Sequence, residues 1–312
     1  MTLLIISNSF DASTYITSDL AEKLGHEVFL LHTDLLGSYK IRLDLNEFTI
    51  EDPSGRILRS GDISACYWRK PWLGGDEPEN TFPETERKFV RAQLAAIVWE
   101  IVGICREKRV VRLVEPAADR RLTKFAQMRI ARQFFRVPGS VATFGATITP
   151  EFEVVAKTLV AEQVHTSPER FLFTTVVWCE ELDPGYPWFI QERIYGDFDI
   201  TIVYVAGIIF PFRVLRPRTV GPTDWRQNIN TDNEDTWITA QLTDAEQVAI
   251  GKFMRAANLY FGRLDFIRDG RELIFLEVNS NGQYAWLDKV EPYQIHHAVL
   301  DSLYDDACSI AR

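Results

Sequence analysis

Cysteine is sparse and unpaired in this chain of 312 residues: Cys66, Cys105, Cys179 and Cys308 are its four. No C-x-x-C pair exists and no nearby histidine completes a zinc site. Length and spacing argue against a disulfide framework, which points to a reducing compartment. Long apolar runs are missing too. The longest, Ile200–Phe212, is β-branched and falls well short of the ~20 residues that cross a bilayer. The opening Met1-Thr2-Leu3-Leu4-Ile5-Ile6 lacks the basic n-region and cleavage site of a signal peptide. The chain therefore reads as cytoplasmic, with no membrane partner. Basic charge is in deficit, with 34 Lys+Arg against 44 Asp+Glu and a net charge of −10, which argues against a nucleic-acid partner. G-x-G-x-x-G is absent, and so are G-x-S-x-G, any Cys-His nucleophile pattern and any internal repeat.

What is present is a globular chain, 46% hydrophobic and 25% charged, long enough for two or three packed units. Its charge is uneven. Residues 1–100 net −6, residues 101–140 net +7 and residues 141–312 net −11. A polyanionic ligand near the basic stretch would account for that island; a solvated helix face is the plain alternative.

Leu3–Ile6 reads as a buried strand, Thr14–Leu24 as a helix stopped by Gly25, and Val28–Leu31 as a second strand. This β-α-β start suggests a Rossmann-like parallel α/β layer without the dinucleotide glycines. Asp34 is better read as a loop carboxylate than as a ribose-binding acid. A hairpin over Asn46–Leu58, a strand Ala65–Trp68, a helix Glu84–Cys105 and a strand Val110–Val114 complete the first unit. A boundary falls near 115–120. Asp119–Phe135 reads as one helix with a basic face carrying Lys124. Strands follow at Ser140–Thr143, Glu153–Val160, Phe171–Val177, Trp188–Ile194, Asp199–Tyr204 and Ile208–Leu215, then a helix from Asp244 to Asn258 and a closing hairpin Gly262–Asn279.

That hairpin carries the chemistry. Glu277 and Asn279 are two apart on a strand and share a face, while Asp265 interrupts the apolar partner strand. A plain two-residue loop at Asp269-Gly270 would point Asp265 away from Glu277. A three- or five-residue loop with Gly270 left-handed would bring all three together. Three hard oxygen donors on one face suit Mg²⁺, which takes few carboxylates plus substrate phosphates. Solvent-facing polar residues on an antiparallel sheet are the competing reading. Lys157, flanked by apolar strand residues, either snorkels or faces an anion. Phe189-Ile-Gln-Glu-Arg-Ile194 ends a strand in paired polar groups that suit an adenine and a ribose.

In order, these elements resemble the ATP-grasp superfamily over roughly residues 118–288. Within it, Tyr67-Trp68-Arg69-Lys70-Pro71, Asp224-Trp225-Arg226 and Asn281-Gly282-Gln283-Tyr284-Ala285-Trp286-Leu287 resemble the ribosomal-peptide maturases that make microviridin-type graspetides. The resemblance implies an ATP-grasp fold behind the N-terminal unit, divided as 1–117, 118–192 and 193–312. It implies ATP and Mg²⁺, with Lys124 and Lys157 on phosphates, Gln191, Glu192 and Ile194 at the adenine hinge, and Asp265, Glu277 and Asn279 on the metal. It further implies an ADP-forming ligase, a homodimer, that joins Asp/Glu carboxylates of a precursor peptide to Ser/Thr hydroxyls or Lys amines. Those maturases carry Asp-x-Arg after the hinge, whereas here the string is Asp199-Ile200-Thr201. Arg213 or Arg226 would then supply the missing charge beside Asp199. Two further readings follow from the same residues: a ligase adding an amino acid to a small molecule or protein terminus, and an ATP-dependent peptide-binding protein with impaired catalysis.

Overall fold

The computed structural model describes residues 2–73, 82–145, 154–157, 159, 175–177, 182–216, 237–289 and 293–310. Arg226 and its neighbours Asp224 and Trp225, Cys179 and the outer parts of two expected strands in 153–177 lie outside the described residues.

The first sheet is parallel, in the order β2 (Glu27–His32), β1 (Thr2–Ser7), β6 (Ile63–Trp68), β7 (Val111–Arg112). All six residues of β1 are buried, as expected for a strand covered on both faces. Helix α1 (Ala12–Lys23) starts two residues before the expected Thr14, because the Asp11 carboxylate caps the Ser13 N–H at 3.0 Å. It ends at Gly25 (φ +83°), where the Gly25 and His26 N–H groups close back on Glu22 and Ala21. A small sheet of β3 (Lys40–Leu43), β4 (Phe48–Glu51) and β5 (Ile57–Arg59) adds a strand that sequence reading missed. Helix α2 (Glu84–Glu107) covers the parallel sheet. Asp34 accepts from the Ser9 N–H (2.8 Å) and hydroxyl, the loop role expected of it.

The expected helix Asp119–Phe135 is two: α3 (Ala118–Arg121) and α4 (Lys124–Ala131). Burial of Leu122 in a core and an extended Thr123, whose hydroxyl caps the next turn, restart the chain between them. Lys124 thereby becomes the first residue of α4 instead of a mid-helix position.

The second sheet runs β10 (Thr175–Val177), β9 (Val154–Lys157), β11 (Trp188–Glu192), β8 (Ser140–Thr143). The third is antiparallel: β14 (Ile238–Thr239), β13 (Ile208–Leu215), β12 (Phe198–Val205), β15 (Phe261–Asp269), β16 (Glu272–Asn279). One of its faces packs on α5 (Asp244–Ala256) through Ile250, Phe253 and Met254; α5 is started by a Thr243–Glu246 capping box. The other face, through Val203, Val205 and Phe261, joins the core of the parallel unit. The chain does not close on the hairpin. A helix α6 (Gln294–Leu303), missed in the sequence, returns to the first core through Ile295, Val299, Leu300 and Leu303.

Candidate active site

Side chains along a strand alternate between sheet faces, and directly paired residues share one. Asp265 pairs with Thr201 on one side and with Glu277 on the other, so these form one row. The row that follows, Ile200 and Phe266, points into the α5 core.

The convergence of Asp265 and Glu277 does not come from the turn, as expected, but from a bulge. Asp269 pairs with Glu272 and Phe266 with Phe275, which is regular pairing around a two-residue turn of Gly270 and Arg271. Gly270 is left-handed at φ +57°, as expected. The register then shifts between Asp265 and Phe266, leaving Leu276 as the extra residue. That one residue moves Glu277 and Asn279 onto the face of Asp265. The Asn279 amide lies 3.5 Å from Asp265 Oδ2 and 3.4 Å from Glu277 Oε1.

Cations surround this group. Lys124 Nζ is 3.0 Å from Glu277 Oε2. Lys157 donates to Gln191 Oε1 at 2.8 Å, and the Gln191 amide donates to Ser140 Oγ at 3.1 Å. Burial raises the Glu277 carboxyl, but the charges of Lys124, Lys157 and Arg263 override it and hold it down at about 2. The carboxylate is therefore ionised throughout the physiological range. The described residues hold no cluster of three His, Cys, Asp or Glu. Two carboxylates plus the Asn279 amide oxygen fit Mg²⁺, which leaves positions for water and phosphate oxygens.

At the expected hinge, the Glu192 carboxylate accepts from the Gly139 N–H (3.0 Å) and from Arg136 (3.1 Å). Ile194 packs with Ile267, Ile274 and the half-buried bulge residue Leu276, a small apolar cluster beside Glu277. Asp199 is ion-paired to Arg216, which sequence reading did not pick out. Arg213 is not brought to this group. It pairs with Ile200, in the row facing the opposite side, and its guanidinium lies 4.9 Å over the Phe198 ring.

Two further residues complete the surroundings: Arg263, missed in the sequence, and Thr201, noted there as the departure from Asp-x-Arg. Arg263 donates to Asp265 Oδ2 at 3.0 Å, and Thr201 Oγ1 to Asp265 Oδ1 at 2.8 Å. Thr201 thus stands at the position where the resemblance expects an arginine and offers a neutral donor, while the guanidinium in contact with Asp265 is that of Arg263 on β15. The only sequence signal for Arg263 was its spacing of two from Asp265.

No family model and no curated protein matches the chain. Solved structures do. A RiPP-associated ATP-grasp ligase of Chryseobacterium gregarium, in complex with ADP and a leader and core peptide, is 24% identical, with 99% of this chain and 98% of that one covered and a TM-score of 0.85. The macrocyclase MdnC of Microcystis aeruginosa MRC, bound with precursor peptide MdnA, is 25% identical over 97% and 99%, with a TM-score of 0.78. The macrocyclase MdnB of the same organism is 21% identical over 97% and 98%, at 0.72. The chain has the ATP-grasp ligase fold. Both sheets flanking the acidic group, and the parallel unit before them, lie within that likeness, since nearly the whole chain is covered.

Proposed function

We propose that this ATP-grasp chain is an ADP-forming ligase that activates Asp/Glu side-chain carboxylates of a ribosomal precursor peptide and joins them to Ser/Thr hydroxyls or Lys amines. The observation that carries the reading is the convergence of Asp265, Glu277 and Asn279 with two lysines from separate elements. Support comes from the complexes of the similar structures, which contain ADP and precursor or core peptides.

Lys124 and Lys157 hold phosphate oxygens; Ile194 and Leu276 offer the apolar floor for an adenine, with Gln191 and Glu192 at its edge. Asp265, Glu277 and Asn279 would hold Mg²⁺, which would supply charge neutralisation for the phosphates. A substrate carboxylate oxygen bonds to the terminal phosphorus as the bond to ADP breaks. The hydroxyl or amine then attacks the acyl carbon, phosphate leaves with its electron pair, and the nucleophile's proton passes to solvent. The protein's share is positioning and charge compensation. No nucleophilic side chain is needed. A homodimer and a cytoplasmic location belong to the same reading; light scattering checks the first. Among the described residues no helix is long and apolar enough to cross a membrane.

Co-expression with an acid-rich precursor peptide tests the reading. The expected result is loss of one water mass per bond formed, read by mass spectrometry. ADP release with an unchanged peptide mass would sink it in favour of ATP-dependent peptide binding.

A further inference from the structure

Asn279 is the least anchored of the three oxygen donors. Asp265 lies on β15, which is laddered on both sides, by β12 and by β16. Glu277 lies inside β16, where the N–H of the next residue, Val278, donates to the Gln127 side chain of α4 at 2.9 Å. Asn279 is the last residue of β16, and β16 is the edge strand of its sheet. Among the described residues its one ladder partner is Arg263. The end of an edge strand frays unless something outside the sheet holds it.

What holds it comes from the parallel unit. The chain turns straight after Asn279, and the Gly282 N–H donates back to the Asn279 carbonyl at 3.1 Å. Asn279 is therefore the first residue of a β-turn as well as the last of the strand, so whatever sets the turn sets its backbone. Arg69 sets it. Its Nη1 donates to the Asn281 and Gly282 carbonyls at 3.0 Å each, and its Nη2 to Gln283 Oε1 at 2.7 Å. The third nitrogen anchors the group at the start of α1, with Nε 3.0 Å from Ser13 Oγ and 3.1 Å from Asp11 Oδ2. Every nitrogen of this fully buried guanidinium is thus spent. Gly282 passes the constraint on: a Cβ there would lie 3.1 Å from the Asn279 Cβ, so the turn presses on the ligand residue itself.

Resting on the metal assignment of the ligase reading above, we infer that Arg69 is the positioning residue for Asn279, so that the parallel unit sets where the third metal oxygen stands. Among the described residues its hydrogen bonds go to the start of α1 and to the turn, and it acts on the acidic group only through Asn279. A shift of the parallel unit against the hairpin would move this one oxygen. Asp265 and Glu277, held by their own sheet and by α4, would stay. A planar fork with fixed donor directions suits the task better than a lysine would. Groups that orient a metal ligand from behind govern metal affinity by about 10–100-fold.

Calorimetric titration of the full chain with ADP, in metal-free buffer and at saturating Mg²⁺, tests this role. In the natural chain Mg²⁺ is expected to tighten ADP binding. Two variants are compared: Arg69→Met, and Asn281→Ala combined with Gln283→Leu, which leaves Arg69 on Asp11. In both, the tightening should be smaller by about tenfold or more, with metal-free affinity within about twofold of natural. If R69M does not fold, as read by circular dichroism, the double variant decides. Tightening equal to that of the natural chain overturns the positioning role and leaves the metal assignment standing. Equal weakening with and without Mg²⁺, the mark of a general loss of structure, overturns it too. ADP binding by the natural chain that ignores Mg²⁺ overturns the metal assignment, and no ADP binding at all overturns the nucleotide reading; the role of Arg69 falls with either.

Discussion

The guanidinium of Arg69, fully buried at the end of β6, donates to the side-chain oxygen of Asn281 at 2.8 Å across 212 residues of chain. Its Nε lies 3.1 Å from Asp11 Oδ2, its Nη2 donates to Gln283 Oε1 at 2.7 Å, and the Tyr284 ring sits 5.0 Å away. Removing one partner of a buried, fully hydrogen-bonded pair leaves the other charge stranded. Arg69→Met should therefore cost about 3–5 kcal/mol of stability, measured by chemical denaturation. A loss under ~1 kcal/mol would show that the network contributes little.

Glu277→Gln and Asn279→Ala each remove one donor from the acidic group without touching a core. Turnover, measured as ADP release, should fall about 100-fold or more in each, since a lost metal ligand forfeits several kcal/mol. The thermal midpoint should stay within a few degrees. Retained activity in both variants would dismiss the metal assignment.

Gly282→Ala should shift Arg263 without changing any charge. The added Cβ would meet the Arg263 Cβ at 2.6 Å and the Asn279 Cβ at 3.1 Å, both short of the far end of a flexible side chain. A loss of about 1–3 kcal/mol is expected from such overpacking, read by chemical denaturation. Unchanged stability would mean the loop yields freely.

The fourth prediction concerns pH. Burial, reinforced by the charges of Arg69 and Arg263, lowers the Lys70 ammonium to about 8, against the opposing pull of Asp11 and Asp119. Because the folded state holds this proton less tightly than the unfolded chain, stability should rise between pH 8 and 10, by up to about 1 kcal/mol per unit. Lys70→Met should remove that part of the rise, read by chemical denaturation at each pH. An identical rise in both chains would show that other groups carry it.

The acidic residues were legible because strand periodicity places Glu277 and Asn279 together whatever the surroundings. Their meeting with Asp265 was not, since a bulge at Leu276 leaves no mark in an apolar run and the turn alone predicts the opposite face. Arg213 looked suitable by sequence order, yet register across β12 and β13 assigns it to the far side. Arg263 resembled any solvent-side strand arginine, since its bond to Asp265 and the close approach of Gly282 are tertiary facts. The break between α3 and α4 was hidden because Thr123 sits within otherwise helix-compatible residues, and burial of Leu122 is a tertiary fact. Helix α6 was hidden because it begins after a left-handed Tyr293 with no side-chain cap and no acidic first turn, so its sequence carries no start signal.

That helix has a consequence for biosynthesis. The parallel unit leaves the ribosome before both grasping sheets, but Val299, Leu300 and Leu303 of α6 belong to its core, and Arg112 bridges to Ser309. Until those residues emerge, α1 and β6 keep apolar surface exposed. Translation thus finishes most of both grasping sheets before the unit that began it can close, which makes the nascent chain a natural client for hydrophobic-surface chaperones.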